Sequence, residues 1–199
     1  MSPTIHVVEK PEPIVSLEMA RRHLADLPEE DEAYVEALIL AATTWLDGPT
    51  GWLGRALGIQ TLELSTADFY CGSDGNIPLP FCPVLDVVSI RYRDASGVYQ
   101  TLPAEAYETD LGGVWAVSGA WPFVSGRNDN VIFRFKVGSA RRDPVTGNFI
   151  TDVPEPIRFA ILLLVGHWYR NREAVVVGAS VANLPFAVEA LLQPYRIYR

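Results

Sequence analysis

The amino-acid sequence predicts an α+β fold in which helices from both chain ends build one core and a β-rich insertion fills the middle. Three observations carry this. Apolar residues recur at helical spacing through residues 16–46 and again from Ile157 onward. Between about residues 57 and 137 the period drops to two, the alternation of half-buried strands. A polar connection at 138–153 then separates the last strand from the last long helix. On this reading residues 1–56 hold an N-terminal arm and core helices, and 57–137 are the insertion. Residues 138–199 supply a loop, the C-terminal core helices and a tail, and form one structural unit with 1–56.

The elements follow in order. Residues 1–15 contain three prolines and no period, so they read as an extended arm. Ser16 suits an N-cap, and Leu17, Ala20 and Leu24 share a face at i, i+3, i+7. Pro28 and the acidic run Glu29-Glu30-Asp31-Glu32 open a second helix, where negative charge meets the positive end of the backbone dipole. Tyr34, Val35, Leu38, Ile39, Ala42, Trp45 and Leu46 keep the helical spacing until Gly48-Pro49 breaks it. Strands are expected at Ile59–Ser65, Val84–Arg93, Val98–Leu102, Tyr107–Asp110, Val114–Val117 and Val131–Val137. The turn Asp94-Ala95-Ser96-Gly97 joins the second and third into a hairpin.

Residues 138–153, with Arg141, Arg142, Asp143, Pro144 and Gly147, form a connection of unusual length. After Pro154 and Pro156 comes a helix that is apolar on nearly every side through Val165. It then turns aromatic and charged at His167-Trp168-Tyr169-Arg170-Asn171-Arg172-Glu173. A helix without a polar face must be covered all round, and neighbouring copies of the chain are expected to supply part of the cover. A short helix is expected from about Leu184 to Leu192.

Composition excludes several classes. At 199 residues, with 49% hydrophobic and 20% charged residues, the chain has the makings of a folded domain rather than a disordered one. No apolar run approaches the ~20 residues of a membrane span. The N-terminus lacks the basic and apolar segments of a signal peptide. Cys71 and Cys82 do not make a disulfide framework, which favours a reducing compartment. A formal net charge of −8 argues against broad contact with a phosphate backbone, but suits a protein past which DNA slides without being held.

The search for chemistry returns little. His6, His23 and His167 have no metal-ligand spacing, and neither a nucleophile elbow nor a phosphate loop occurs. No catalytic residue, metal or cofactor is therefore expected. Arg170, Arg172 and Glu173 fit two readings: a helix C-terminus complemented by cations, and a charged junction to a neighbour. Trp168 and Tyr169 are residue types of cores and of binding hot spots alike. The ending Tyr195-Arg196-Ile197-Tyr198-Arg199 alternates aromatic and Arg residues where chain ends are usually small and polar. It reads as a segment that docks into a partner groove, ahead of folding back on its own domain.

These residues resemble the head–tail connector, or adaptor, proteins of long-tailed phages, prophages and gene transfer agents. The resemblance rests on Ser16-Leu17-Glu18-x-Ala20-x-x-His23-Leu24, the helix at Tyr34–Ile39, and above all Val153-Pro154-Glu155-Pro156-Ile157-Arg158 through Leu162 to Val175. Leu184 to Leu192 with Pro194-Tyr195-Arg196 also fits. The resemblance implies a homo-oligomeric ring, commonly of about twelve subunits, seated beneath the portal protein of a virion or phage-like particle assembled in the host cytoplasm. Such a ring extends the DNA channel and offers its far side to a stopper or further connector protein. It implies portal binding by Tyr195, Arg196, Ile197, Tyr198 and Arg199, and ring contacts by Trp168, Tyr169, Arg170, Arg172 and Glu173. Two other classes stay open: a soluble β-rich binding module, and a small hydrolase whose sign would be a deep pocket pairing His167 with a carboxylate.

Overall fold

The computed structural model describes residues 3–69, 75–110, 112–124, 130–172 and 186–198. It is mixed α+β, as predicted, and divides into two compact units. One unit comprises residues 1–11 and 58–151; the other comprises 12–57 and 152–199.

The β unit is built on a five-stranded antiparallel sheet. Its strands are β1 (Thr4–Glu9), β2 (Gln60–Thr66), β4 (Val84–Arg93), β5 (Tyr99–Thr101) and β8 (Val131–Val137), in the order β1-β2-β8-β4-β5. Strands β3 (Ile77–Pro78), β6 (Tyr107–Thr109) and β7 (Gly113–Ala116) form a second sheet ordered β3-β7-β6. Period two holds through the centre. Leu62, Phe135 and Val87 align across the first sheet, as do Leu64, Phe133 and Ile90, and all are buried. Phe69 joins this core, edge-on to Phe133 at 6.1 Å and stacked on Trp121 at 4.8 Å. On the other face Glu63 accepts hydrogen bonds from Arg134 at 2.8 and 3.2 Å, as the cross-strand pairing of these two residues requires.

Besides the two-residue strand β3, two longer stretches differ from expectation. The arm at 1–15 contains β1, paired antiparallel to β2 with Ile5 opposite Leu64 and Val7 opposite Leu62. Its β-branched residues favour a strand, but a strand at a sheet edge that is exposed on both faces carries no alternation to read. The connection at 138–153 holds β9 (Ala140–Arg142) and β10 (Phe149–Thr151), an antiparallel hairpin. Turn chemistry makes it. The Asp143 carboxylate accepts from the Val145 N–H at 2.9 Å and the Thr146 hydroxyl at 2.7 Å, and these bonds hold its pKa below the ordinary value. Gly147 supplies the φ of +73°, and the Arg142 guanidinium lies 4.4 Å over the Phe149 ring.

The helical unit contains α1 (Leu17–Leu24), α2 (Glu32–Leu46), α3 (Glu155–Arg170) and α4 (Phe186–Leu192). Ser16 caps α1, accepting the Met19 N–H at 3.2 Å. Pro156 stands in the first turn of α3, where its missing N–H costs nothing. Helix α3 is the centre of the unit and packs against α1, α2 and α4. Ile157, Ala160, Ile161, Leu164 and Val165 are enclosed together with Ala20, Val35, Ile39, Ala42, Leu46, Val188 and Leu192. Neighbouring copies are expected from the sequence to supply part of the cover of α3; within the chain, α1, α2 and α4 already cover most of it. A helix that is apolar all round is here simply the innermost one, and its own chain wraps it. One stripe stays open, led by Phe159 at 49% exposure.

Candidate functional site

Three features of the helical unit bear on function. The first lies where α3 ends. Tyr169, in the last turn of α3, and Arg172, two residues past its end, both reach Asp31 ahead of α2. The Tyr169 hydroxyl donates to Asp31 Oδ2 at 2.6 Å, and Arg172 Nη2 donates to the same oxygen at 2.6 Å. The guanidinium also lies 4.8 Å from the Tyr34 ring centroid and 5.1 Å from that of Tyr169. The Tyr169 hydrogen bond above all, with Arg172 beside it, holds the Asp31 carboxyl below its ordinary pKa against partial desolvation. The same bond to Asp31 pushes Tyr169 up. Asp31 read from the sequence as part of the acidic run that opens the second helix; only the fold brings residues 138 and 141 positions away onto it.

The second feature is the chain end. Beyond Leu46 the chain turns back at Gly48-Pro49, and the N–H groups of Trp52 and Leu53 take the carbonyls of Trp45 and Leu46 at 2.8 and 3.3 Å. Trp52 consequently stacks on Trp45, with centroids 6.0 Å apart. The tail lies on this loop. The Arg196 guanidinium sits 4.1 Å over Trp52 and 4.7 Å over Tyr198, the Ile197 N–H donates to the Leu53 carbonyl at 2.9 Å, and Gln193 donates to the Tyr198 hydroxyl at 2.7 Å. The sequence put docking on a partner ahead of folding back; the structure folds Tyr195 to Tyr198 back onto their own unit. The reason is a Trp-lined platform contributed by residues some 140 positions upstream. The spacing of Trp45 and Trp52 around Gly48-Pro49 was its only sequence signal. Arg199, Glu173 and Cys71 lie outside the described residues.

The third feature is a cleft of about 320 Å³ lined by His23, Leu163, Gly166, His167, Arg170, Asn171, Ala187 and Val188. It gathers two histidines and an arginine on apolar walls, and among the described residues no carboxylate lines it. The pairing that would mark a hydrolase is thus not made there. Among the described residues no group of His, Cys, Asp and Glu could hold a metal ion, and no helix is long and apolar enough to cross a membrane. Cys82 is a free, exposed thiol. Of the residues singled out from the sequence, Trp168 packs against the core as a partly buried side chain, Tyr169 and Arg172 are engaged with Asp31, and Arg170 points into solvent at the cleft rim.

What the described residues of this unit assemble is aromatic stacking, ion pairing and one apolar cleft. Residues 143–196 match the family described as phage gp6-like head-tail connector proteins. No curated protein matches the chain. Among solved structures the chain is similar to one from the neck of an empty gene transfer agent particle computed with C6 symmetry. That match has TM-score 0.72 and 22% identity, and covers 98% of this chain and 96% of the other. It is likewise similar to a chain of the virion of a native gene transfer agent particle (TM-score 0.68, 23% identity, the same coverage). A third similar chain comes from the neck of a native particle computed with C12 symmetry (TM-score 0.66, 22% identity, the same coverage). At this identity the likeness shows a shared fold over the whole chain.

Proposed function

We propose that this chain is a structural head–tail connector subunit of a phage or gene transfer agent particle, with no catalytic role. It works at the neck, in a ring beneath the portal that extends the DNA channel and carries the stopper or next connector on its far side. The observation that carries this reading is the near end-to-end likeness to neck chains, joined to a family match that covers the end of the chain from the β9–β10 turn to Arg196. The charge agrees: a ring of subunits at −8 each repels a DNA backbone and leaves it free to slide.

Within this reading Tyr195, Arg196, Ile197, Tyr198 and Arg199 are the segment that engages the portal. Ile197 and Tyr198 keep an outward side even when the tail lies on the Trp52 loop, at 41% and 67% exposure. Trp168, Tyr169, Arg170, Arg172 and Glu173 are the ring-contact group; among its described members Tyr169 and Arg172 are braced on Asp31 and Arg170 is exposed to meet a neighbour.

Truncation after Leu192 tests the reading. Leu192 itself is fully buried and stays, so the shortened chain keeps its core. Far-ultraviolet circular dichroism is expected to be unchanged, while purified heads mixed with the truncated chain should not acquire it in negative-stain images. Heads that bind the truncated chain and go on to join tails normally would remove the anchor role.

A further inference from the structure

Among the described residues, α2 carries an uncovered apolar strip besides the open stripe on α3. The outward positions Ala33, Ala37, Leu40 and Thr44 are spaced four, three and four apart, the interval at which one helix offers a seam to another. All four are exposed, Leu40 at 64%, and Ala41 widens the strip. A single exposed leucine is ordinary; three turns carrying one charge, Glu36, in a chain with 20% charged residues are not. Phe159, Leu163, Gly166 and Arg170 share one side of α3 at the same four-three-four interval, Phe159 and Arg170 exposed, Leu163 half-buried and Gly166 buried. Midway along that side lies the 320 Å³ cleft, with His23, His167 and Arg170 at its rim.

We infer that these two surfaces are the halves of one contact: Leu40 of one copy seats in the α1–α3–α4 cleft of the next, with Glu36 against the Arg170 guanidinium. The inference rests on the ring reading above and names the surfaces that would close the ring. Charge selects this pairing over the alternatives. Two α2 faces brought together would offer Glu36 no cation, and two clefts would offer Arg170 no carboxylate among the described residues that line them. Joining α2 to the cleft makes each charge meet its opposite. Shape agrees, because Ala33 and Ala37 let a partner helix approach closely while Leu40 is the one large knob on the strip. Since the two faces differ, the contact is heterologous, and a heterologous contact repeats around a ring rather than stopping at a dimer.

The test uses the full chain with Cys71 and Cys82 replaced by Ser. One sample carries Leu40→Cys and another His167→Cys. Mixed under mild oxidation, they are expected to form a disulfide-linked heterodimer, and Leu40→Cys alone to form none. Leu40→Arg, an exposed change that leaves the fold intact by circular dichroism, is expected to weaken self-association in sedimentation by at least about tenfold. Glu36→Arg is expected to weaken it too, and to be rescued when mixed with Arg170→Glu. Wild-type assembly by Leu40→Arg, or linkage between two Leu40→Cys copies, overturns the pairing. If all variants attach to heads as rings, the pairing falls while the connector reading stands. If the mixed cysteines link but no chain ever attaches to heads, the connector reading falls while the pairing stands. A chain monomeric both in solution and on heads overturns both.

Discussion

Enclosure of α3 by its own chain can be tested with two substitutions two residues apart. Ile161 is fully buried at the centre of the helical unit, whereas Phe159 leaves half its surface in solvent. Truncating a buried Ile to Ala removes transfer free energy and leaves a cavity, together about 2–5 kcal/mol. Phe159→Ala removes a larger side chain, but only about half of it was out of water. Burying a Phe completely is worth ~1.5–3 kcal/mol, so the loss is about 1 kcal/mol. Part of that is the edge-on contact with His23, whose ring centroid is 5.9 Å away. The larger side chain thus gives the smaller effect. For a chain of this size 1 kcal/mol moves the midpoint by about 2–4 °C, so Ile161→Ala should drop it by about 10 °C and Phe159→Ala by about 3 °C. Urea titration followed by tryptophan fluorescence reads the helical unit well, since three of the five tryptophans, Trp45, Trp52 and Trp168, belong to it. The decisive control is concentration. If Ile161→Ala costs less than about 1 kcal/mol in dilute protein and shows its full loss only where copies associate, then neighbours, not α1, α2 and α4, cover this helix.

Other outcomes follow from the site. Asp31 has a folded-state pKa below its ordinary value of 3.8, so its contribution is present above that value and is lost as pH falls through the depressed pKa. Asp31→Asn should therefore lower stability at neutral pH and flatten its decline in acid, measured by urea midpoints across a pH series; an unchanged acid slope would detach Asp31 from Tyr169 and Arg172. Tyr169→Phe removes the largest cause of that shift and should raise the Asp31 pKa, readable by carboxyl NMR titration. Gly54 has a φ of +66°, and a Cβ there would run into the carbonyl oxygen of Ile197. Gly54→Ala should lift the tail from the Trp52 loop and quicken carboxypeptidase digestion, an effect absent if the tail does not rest there.

Most of the secondary structure could be read from local pattern, because each element carries its own signal. Ser16 and the acidic run mark helix starts, Gly48-Pro49 a helix stop, and the alternation in β2, β4 and β8 their two faces. The longer stretches that escaped, β1 and the β9–β10 hairpin, bury too little to alternate and are held by edge pairing and turn hydrogen bonds. The resemblance carried by residues 153–175 was legible for the same reason, being a run of contiguous residues. The sites were not, because each joins segments far apart in the chain. Composition alone could say that α3 is apolar all round, but whether its cover came from the same chain or another depended on where α1, α2 and α4 pack. The same holds for Asp31 beneath Tyr169 and Arg172, and for Arg196 on Trp52. Local sequence determines which way each side chain faces along its own helix or strand; only tertiary packing decides what it faces.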